Sequence, residues 1–273
     1  RVAYGFSVHG ISGNIGWALA PMFMTYVATH YDWRVALQCA AVLPFGVLLV
    51  LFLNRHAIRP EAVKKAAPGQ AGGGEGTLDF LRLPAVWMCF AFFFITAIAL
   101  GGIQSFASVA LVKLYGMSLA LATSAYTAYM LASAVGMLAG GVVGARSQQP
   151  DRNVAIAFSA AALLAVLLGM AVVPAWGAVV LMGAIGLTSG VAGPSRDLMI
   201  RAAAPKNATG RVYGVVYSGL DSGLAVGPLF FGALMDGNHP ALLFVFIGVF
   251  QALAIATAVG VGGKTRAAAL QKA

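Results

Sequence analysis

Long apolar segments recur along the whole chain, and short stretches that carry most of the charges separate them. A helix needs about 20 mainly apolar residues to cross the hydrocarbon core of a bilayer. None of these segments shows the strict alternation of a barrel strand. The pattern therefore predicts eight membrane-spanning helices, labelled A to H, at residues 6–28, 34–53, 85–111, 118–145, 153–173, 177–200, 211–235 and 241–261.

The composition supports lipid as the solvent for much of the chain. Of the 273 residues, 60% are hydrophobic and only 9% are charged, whereas about 25% of a typical soluble domain is charged. One polar, glycine-rich stretch at residues 54–84 interrupts the apolar pattern between B and C. We interpret it as a flexible linker between two groups of helices.

The cations are unequally divided between the two sides of the predicted bundle. If the N-terminus and the linker share one side, 15 of the 17 Lys and Arg residues lie there, and only Arg34 and Lys113 lie opposite. Such a bias marks cytoplasmic loops. It predicts that both ends of the chain are cytoplasmic, and it argues against a basic face that binds nucleic acid.

Polar side chains are distributed over the helices with a period of three. B, E and H carry the fewest polar side chains. Because helices that are apolar all round face lipid, we expect these three to face the bilayer. A second repeat relates A to G, because aligning Pro21 with Pro228 places Asn14 on Asp221. Internal repeats are typical of secondary transporters.

Four local motifs resemble those of the major facilitator superfamily. The stretch "GLAVGPLFFG" (223–232) is similar to that family's GxxxGP helix motif, and "GNIGWALAP" (13–21) is a looser copy. "GGVVGARSQQPDR" (140–152) resembles its loop signature, although Ala145 stands where the signature has an acid. "GPSRDLMIRAAAPKNATGRVYG" (193–214) resembles the turn between the tenth and eleventh helices, in a style similar to fosmidomycin-resistance-like efflux branches.

The resemblance implies an all-α integral membrane fold of twelve helices in two halves. A and B would be the fifth and sixth helices, so the first four would be absent, and C to H would form the complete second half. The implied domains are 1–53 for the end of the first half, 54–84 for the cytoplasmic linker, 85–261 for the second half and 262–273 for a cytoplasmic tail. The resemblance also implies alternating access in a bacterial-type inner membrane.

Asp221 is the most unusual residue of the predicted helices, since an ionised carboxylate deep in a membrane costs about 2.5–3.5 kcal/mol on insertion scales. We consider it a proton-coupling candidate, together with His9 in the first turns of A. The structural alternatives are an Asp221 that accepts hydrogen bonds from Ser218, Ser222 or another helix, and an interfacial His9.

Other candidates fall into three sets. Small residues let helices pack closely and a proline invites a kink, which predicts packing or gating roles for Gly219, Gly223, Gly227, Pro228 and Pro21. Uncharged polar groups predict a substrate cavity lined by Asn14, Gln104, Ser105, Tyr126, Tyr129 and Tyr217. A cytoplasmic latch is predicted for Arg146, Arg196, Asp197 and Arg201, with Asp197 paired to Arg201 at i,i+4. For Arg196 the alternative is binding of an anionic substrate.

The sequence contains no nucleophile beside a base, no metal-ligand spacing and no phosphate-binding GxxxxGK[ST] motif. We therefore expect no enzyme activity, no cofactor and no metal. The predicted function is secondary transport of a small molecule, first as proton-coupled efflux. The alternatives are uptake or exchange of a small organic anion, and a membrane-embedded receptor-like or enzymatic module. The predicted partners are the substrate, protons and the lipid bilayer.

Overall fold

The structure is a computed structural model that describes residues 2–57, 79–205 and 208–270, with the backbone alone for residues 2, 3, 18, 21, 22, 25 and 264–270. These described residues form eight α-helices and one 3-10 turn, η1. The helices are α1 (Val2–His30), α2 (Trp33–Leu53), α3 (Pro84–Tyr115), α4 (Leu119–Arg146), α5 (Pro150–Gly169), α6 (Ala175–Ala203), α7 (Thr209–Asp236) and α8 (Pro240–Leu270), and η1 is Asp79–Arg82.

Local sequence explains several helix ends. Three helices begin at a proline, Pro84, Pro150 or Pro240, where the missing N–H would have had no helical partner. Ser118 caps α4 by accepting a hydrogen bond from the backbone N–H of Leu121 at 3.3 Å. Gly116 ends α3 with φ of 62°, a left-handed conformation that glycine adopts without steric cost.

The eight described helices overlap the eight predicted apolar segments, and every end but one lies within four residues of its prediction. Segment E was predicted to continue to residue 173, but α5 ends at Gly169 because Ala171 takes a left-handed φ of 53°. Segment H was predicted to end at residue 261, whereas α8 continues to Leu270, into the predicted tail. Residues 271–273 of that tail lie outside the described residues.

Seven of the helices in the described part are long and apolar enough to cross a membrane, namely α2 to α8. Helix α1 has 29 residues but is not among the seven. The chain is therefore a multi-pass membrane protein by length and composition, while an eighth crossing through α1 stays a prediction.

The chain divides into two compact units, Gly16–Leu78 and the remainder, Arg1–Ile15 with Asp79–Ala273. In the first unit, α2 exposes nearly all its side chains, and Ala36 is its one buried residue. Residues 58–78 of the predicted linker lie outside the described residues. The division into family halves at residue 53 stays a prediction.

Helices α3 to α8 pack in a pattern that maps onto itself. Helix α3 packs on α7 and α8, α6 packs on α4 and α5, and α5 packs on α8. Exchanging α3 with α6, α4 with α7 and α5 with α8 reproduces the same pairs. This is the pairing expected of two three-helix repeats whose third members, α5 and α8, lie side by side.

Glycines bring α4 and α6 into backbone contact. A Cβ on Gly186 or Gly190 of α6 would meet the carbonyl oxygen of Tyr129 or Ser133 on α4. The relation is reciprocal, because a Cβ on Gly136 or Gly140 of α4 would meet the carbonyls of Leu187 and Val191. Small residues permit such close approach between membrane helices, and here they fix the separation of the two helices.

Candidate functional site

Helix α7 has a packed face and an open face. Gly219, Gly223 and Gly227 are buried against α3, where a Cβ on Gly219 would lie 2.7 Å from the carbonyl oxygen of Phe90. Pro228 continues this packed face, since its ring would lie 3.3 Å from a Cβ on Gly101. The side chain of the matching Pro21 in α1 lies outside the described part of the chain.

Asp221 lies on the open face of α7. It is about 18 Å along the helix from Thr209, at 1.5 Å of rise per residue, so it lies near the middle of the predicted span. Its neighbours Ser218 and Ser222 are exposed with it. The Ser218 hydroxyl donates to the carbonyl of Val215 at 2.7 Å instead of to Asp221. The described residues give the Asp221 carboxylate no hydrogen bond and no ion pair.

The first half of α1 lies on α4 through polar contacts. The Ser7 hydroxyl donates to the carbonyl of Met137 at 2.9 Å, and the Asn14 amide donates to the hydroxyl of Ser133 at 3.1 Å. The Asn14 amide also lies 3.5 Å from the sulfur of Met137. His9, the second proton-coupling candidate, is exposed on the same helix.

The remaining cavity candidates on α3 and α4 differ in exposure. Tyr129 is buried, Gln104 and Tyr126 are half-buried and Ser105 is exposed. The structure adds Ser189, which is not among the predicted cavity residues: its hydroxyl is buried and lies close to the Tyr129 side chain. Ser189 lies at the centre of α6, between the two glycines that contact α4, and this position is the sequence signal that could have identified it.

A cluster of charged and aromatic side chains lies where α6 ends and α7 begins. Asp197 is buried, and its carboxylate pairs with Nε of the adjacent Arg196 at 3.4 Å. The predicted pairing of Asp197 with Arg201 is wrong, because Arg201 is exposed and makes no ion pair within the described residues. The hydroxyl of Tyr213 on α7 donates to the backbone carbonyl of Asp197 at 3.1 Å. Arg146, the fourth predicted latch residue, is exposed at the end of α4.

Aromatic rings surround the Arg196 side chain. Its guanidinium carbon lies 4.7 Å from the ring centroid of Phe93 on α3, within the range of a cation–π contact. The ring of Phe93 lies 5.3 Å from that of Tyr217, and Tyr217 lies 6.1 Å from Tyr213. Phe6 of α1 stacks on Tyr213 at 6.4 Å. We call Phe6, Phe93, Arg196, Tyr213 and Tyr217 the Arg196 box.

The Arg196 box rests on a tightly packed apolar core. The core is formed by α3, α5, α6, α7 and α8 at this end of the bundle, and it includes Phe92, Phe158, Ile200, Val212 and Val216. A packed core holds the box residues in defined rotamers. In the residues that the structure describes, no three His, Cys, Asp or Glu side chains come together as metal ligands.

Comparisons with known proteins place these features in a family. A model of the Major Facilitator Superfamily matches residues 1–186 and 126–270. The chain is also similar to the membrane sensor protein UhpC of Salmonella typhimurium, with 27% identity over 145 residues. That match covers 47% of this chain and 33% of the relative, so the chain spans about a third of the relative's length.

The family match extends over nearly the whole chain. It includes the α7 segment with Asp221, the glycine contacts and the Arg196 box. The chain belongs to the major facilitator superfamily.

Proposed function

We propose that this protein is a secondary active transporter that moves a small molecule by alternating access of two helical halves, and that proton movement through Asp221 drives efflux. Family membership supports the transport class. The observation that carries the coupling is a carboxylate near the middle of a predicted span, on the open face of α7, without a hydrogen bond or ion pair in the described residues. A carboxylate so placed is costly to keep inside a membrane, and intramembrane carboxylates commonly mark proton relays.

The proposed substrate cavity is lined by polar groups of α1, α4 and α6 beside the close contact of α4 with α6. Asn14 of α1 donates to Ser133 of α4, and Ser133, Tyr129 and Ser189 lie near the centres of α4 and α6. Hydroxyl and amide groups orient a ligand without adding charge. The site therefore suits a small substrate molecule that is weakly polar or amphipathic.

The coupling is tested with the full-length protein in liposomes under an imposed pH gradient. Asp221→Asn is expected to abolish gradient-driven transport while substrate counterflow continues, because the amide keeps the shape and loses the titratable proton. Asp236→Asn is the matched control, since Asp236 is an exposed carboxylate at the end of the same helix. Normal gradient-driven transport by Asp221→Asn would show that the coupling is assigned to the wrong residue.

A receptor-like sensor is the second candidate function, because a curated relative is called a membrane sensor protein. A sensor would bind its ligand without moving it. The two functions separate in the same liposomes: saturable binding with no counterflow for any bound ligand supports the sensor, and counterflow supports the transporter.

A further inference from the structure

The Arg196 side chain is three-quarters buried, yet most of the hydrogen-bonding capacity of its guanidinium is unused within the described residues. Its side chain is 25% exposed, and only Nε is bonded, to Asp197. Within the described residues, the two terminal nitrogens make no hydrogen bond or ion pair. These nitrogens form the planar fork that holds a carboxylate or phosphate with two parallel hydrogen bonds.

The surroundings select among anions. Phe93 lies against the guanidinium at 4.7 Å, and Tyr217 lies beside Phe93 at 5.3 Å. The Tyr213 hydroxyl is already used by the Asp197 carbonyl, so Tyr213 contributes mainly its ring. A strongly hydrated inorganic ion gains nothing from ring faces, whereas an organic anion buries its apolar body against them.

The charge balance disfavours more than one negative charge. Arg196 and Asp197 together carry no net charge, and Asp197 is almost fully buried at 3% exposure. A dianion at the guanidinium would meet the nearby Asp197 carboxylate, and like charges at close range are costly in a poorly solvated site. A monocarboxylate completes the guanidinium fork with the smallest repulsion.

We infer that the Arg196 box binds small organic monocarboxylates, with the carboxylate on the terminal nitrogens of Arg196 and an aromatic or apolar body against Phe93 and Tyr217. The inference rests on the proposed transport function in one respect: it narrows the proposed amphipathic substrate to molecules that carry one carboxylate. As a binding site it stands on the geometry of α3, α6 and α7 alone.

Equilibrium binding to the full-length protein tests the inference without any transport assay. Radiolabelled benzoate is the probe, with the protein in phosphatidylcholine nanodiscs, and unlabelled benzoate, benzamide, benzylamine and inorganic phosphate are the competitors. Benzoate is expected to bind saturably, and the three other compounds are expected to compete at least about tenfold more weakly. Benzamide has no negative charge, benzylamine has a positive charge, and phosphate has no apolar ring. Equal competition by benzamide or phosphate would overturn the inference.

Variants then locate the site. Arg196→Lys keeps the charge and loses the fork, and it is expected to weaken benzoate binding by at least about tenfold. Arg201→Gln, a change of an exposed arginine on the same helix, is the matched control and should bind normally. Equal weakening by both variants would overturn the assignment. Because the wild-type competition series needs no substitution, poor folding of a variant does not leave the inference untested.

Lipid headgroups are a second source of an oxyanion, so the binding is repeated in phosphatidylglycerol nanodiscs. Unchanged benzoate affinity supports a soluble carboxylate, and loss of binding in the anionic lipid would assign the box to a headgroup instead. The proposed function fails separately: benzoate binding without counterflow keeps the site and rejects transport, whereas counterflow of other molecules without benzoate binding keeps transport and rejects the site.

Discussion

Single residues control the closeness of helix packing in this bundle, and Gly190 is the clearest case. A Cβ at this position would meet the backbone carbonyl of Ser133, which cannot move without shifting α4. Gly183 lies on the same helix, but a Cβ there would be 4.0 Å from its nearest neighbour, the Cβ of Ala128. The two glycines thus differ in steric demand although the sequence around them looks alike.

The residue-scale prediction follows from this difference. Gly190→Ala is expected to lower the free energy of unfolding by about 1–3 kcal/mol, the usual cost of overpacking, while Gly183→Ala leaves it within about 0.5 kcal/mol. Thermal or denaturant unfolding in detergent micelles measures both. Equal stability of the two variants would show that α4 and α6 are not in backbone contact.

Sequence reasoning located residues better than it located their partners. It named Asp197 as part of a charged cluster at the cytoplasmic end of segment F, but the i,i+4 rule considers one helix and so proposed Arg201 as its partner. The actual contacts of Asp197 include Tyr213, which lies on the next helix. Contacts between helices depend on tertiary packing, and a single sequence does not encode them in any local spacing.

At the scale of elements, continuous hydrophobicity was enough to position all eight described helices. The error at the end of α5 has a conformational cause, the left-handed φ of Ala171. An alanine does not predict this conformation. Faces were harder to predict than positions, because the glycines that mark the packed face of α7 do not say whether the opposite face meets water or lipid.

Cysteine labelling decides what the open face of α7 contacts. In a background with Cys39 and Cys89 replaced, Ser218→Cys and Ser222→Cys are expected to react with a water-soluble maleimide, because we propose that this face lines an aqueous cavity. Leu163→Cys is the control: Leu163 is 72% exposed on α5, but we expect lipid to cover it. Reaction of Leu163→Cys without reaction of Ser218→Cys and Ser222→Cys would show that lipid covers the open face of α7 and that water reaches Leu163 on α5.

At the scale of the whole molecule, composition and motifs predicted the family, and the family model confirms it. Membership of an efflux branch stays a prediction, because it rests on the sequence resemblance of one turn, at residues 193–214. The number of crossings also stays a prediction, since α1 is not among the helices apolar enough to span by themselves. Neighbouring helices can shelter a polar span, and hydropathy of a single segment does not include that effect.

Labelling from outside intact cells tests the topology. Introduced cysteines at Tyr31, Lys113, Trp176 and Asn238 are expected to react with a membrane-impermeant reagent, and one at Gln148 is expected to react only after permeabilisation. Tyr31 lies between α1 and α2, so a further cysteine at Tyr4, near the start of α1, is needed to decide whether α1 crosses. We expect Tyr4→Cys to react only after permeabilisation; reaction of both Tyr4→Cys and Tyr31→Cys in intact cells would show that α1 does not cross.

The stacking of Phe6 on Tyr213 connects the Arg196 box to helix α1. If α1 belongs to the other family half, as predicted, the box has its full set of rings only while the halves are closed at that end. Ligand affinity and closure are then thermodynamically linked, and each favours the other by the same factor. A bound carboxylate would stabilise the closed state and slow reopening. The molecule that fits the box best would therefore also be the slowest to leave it.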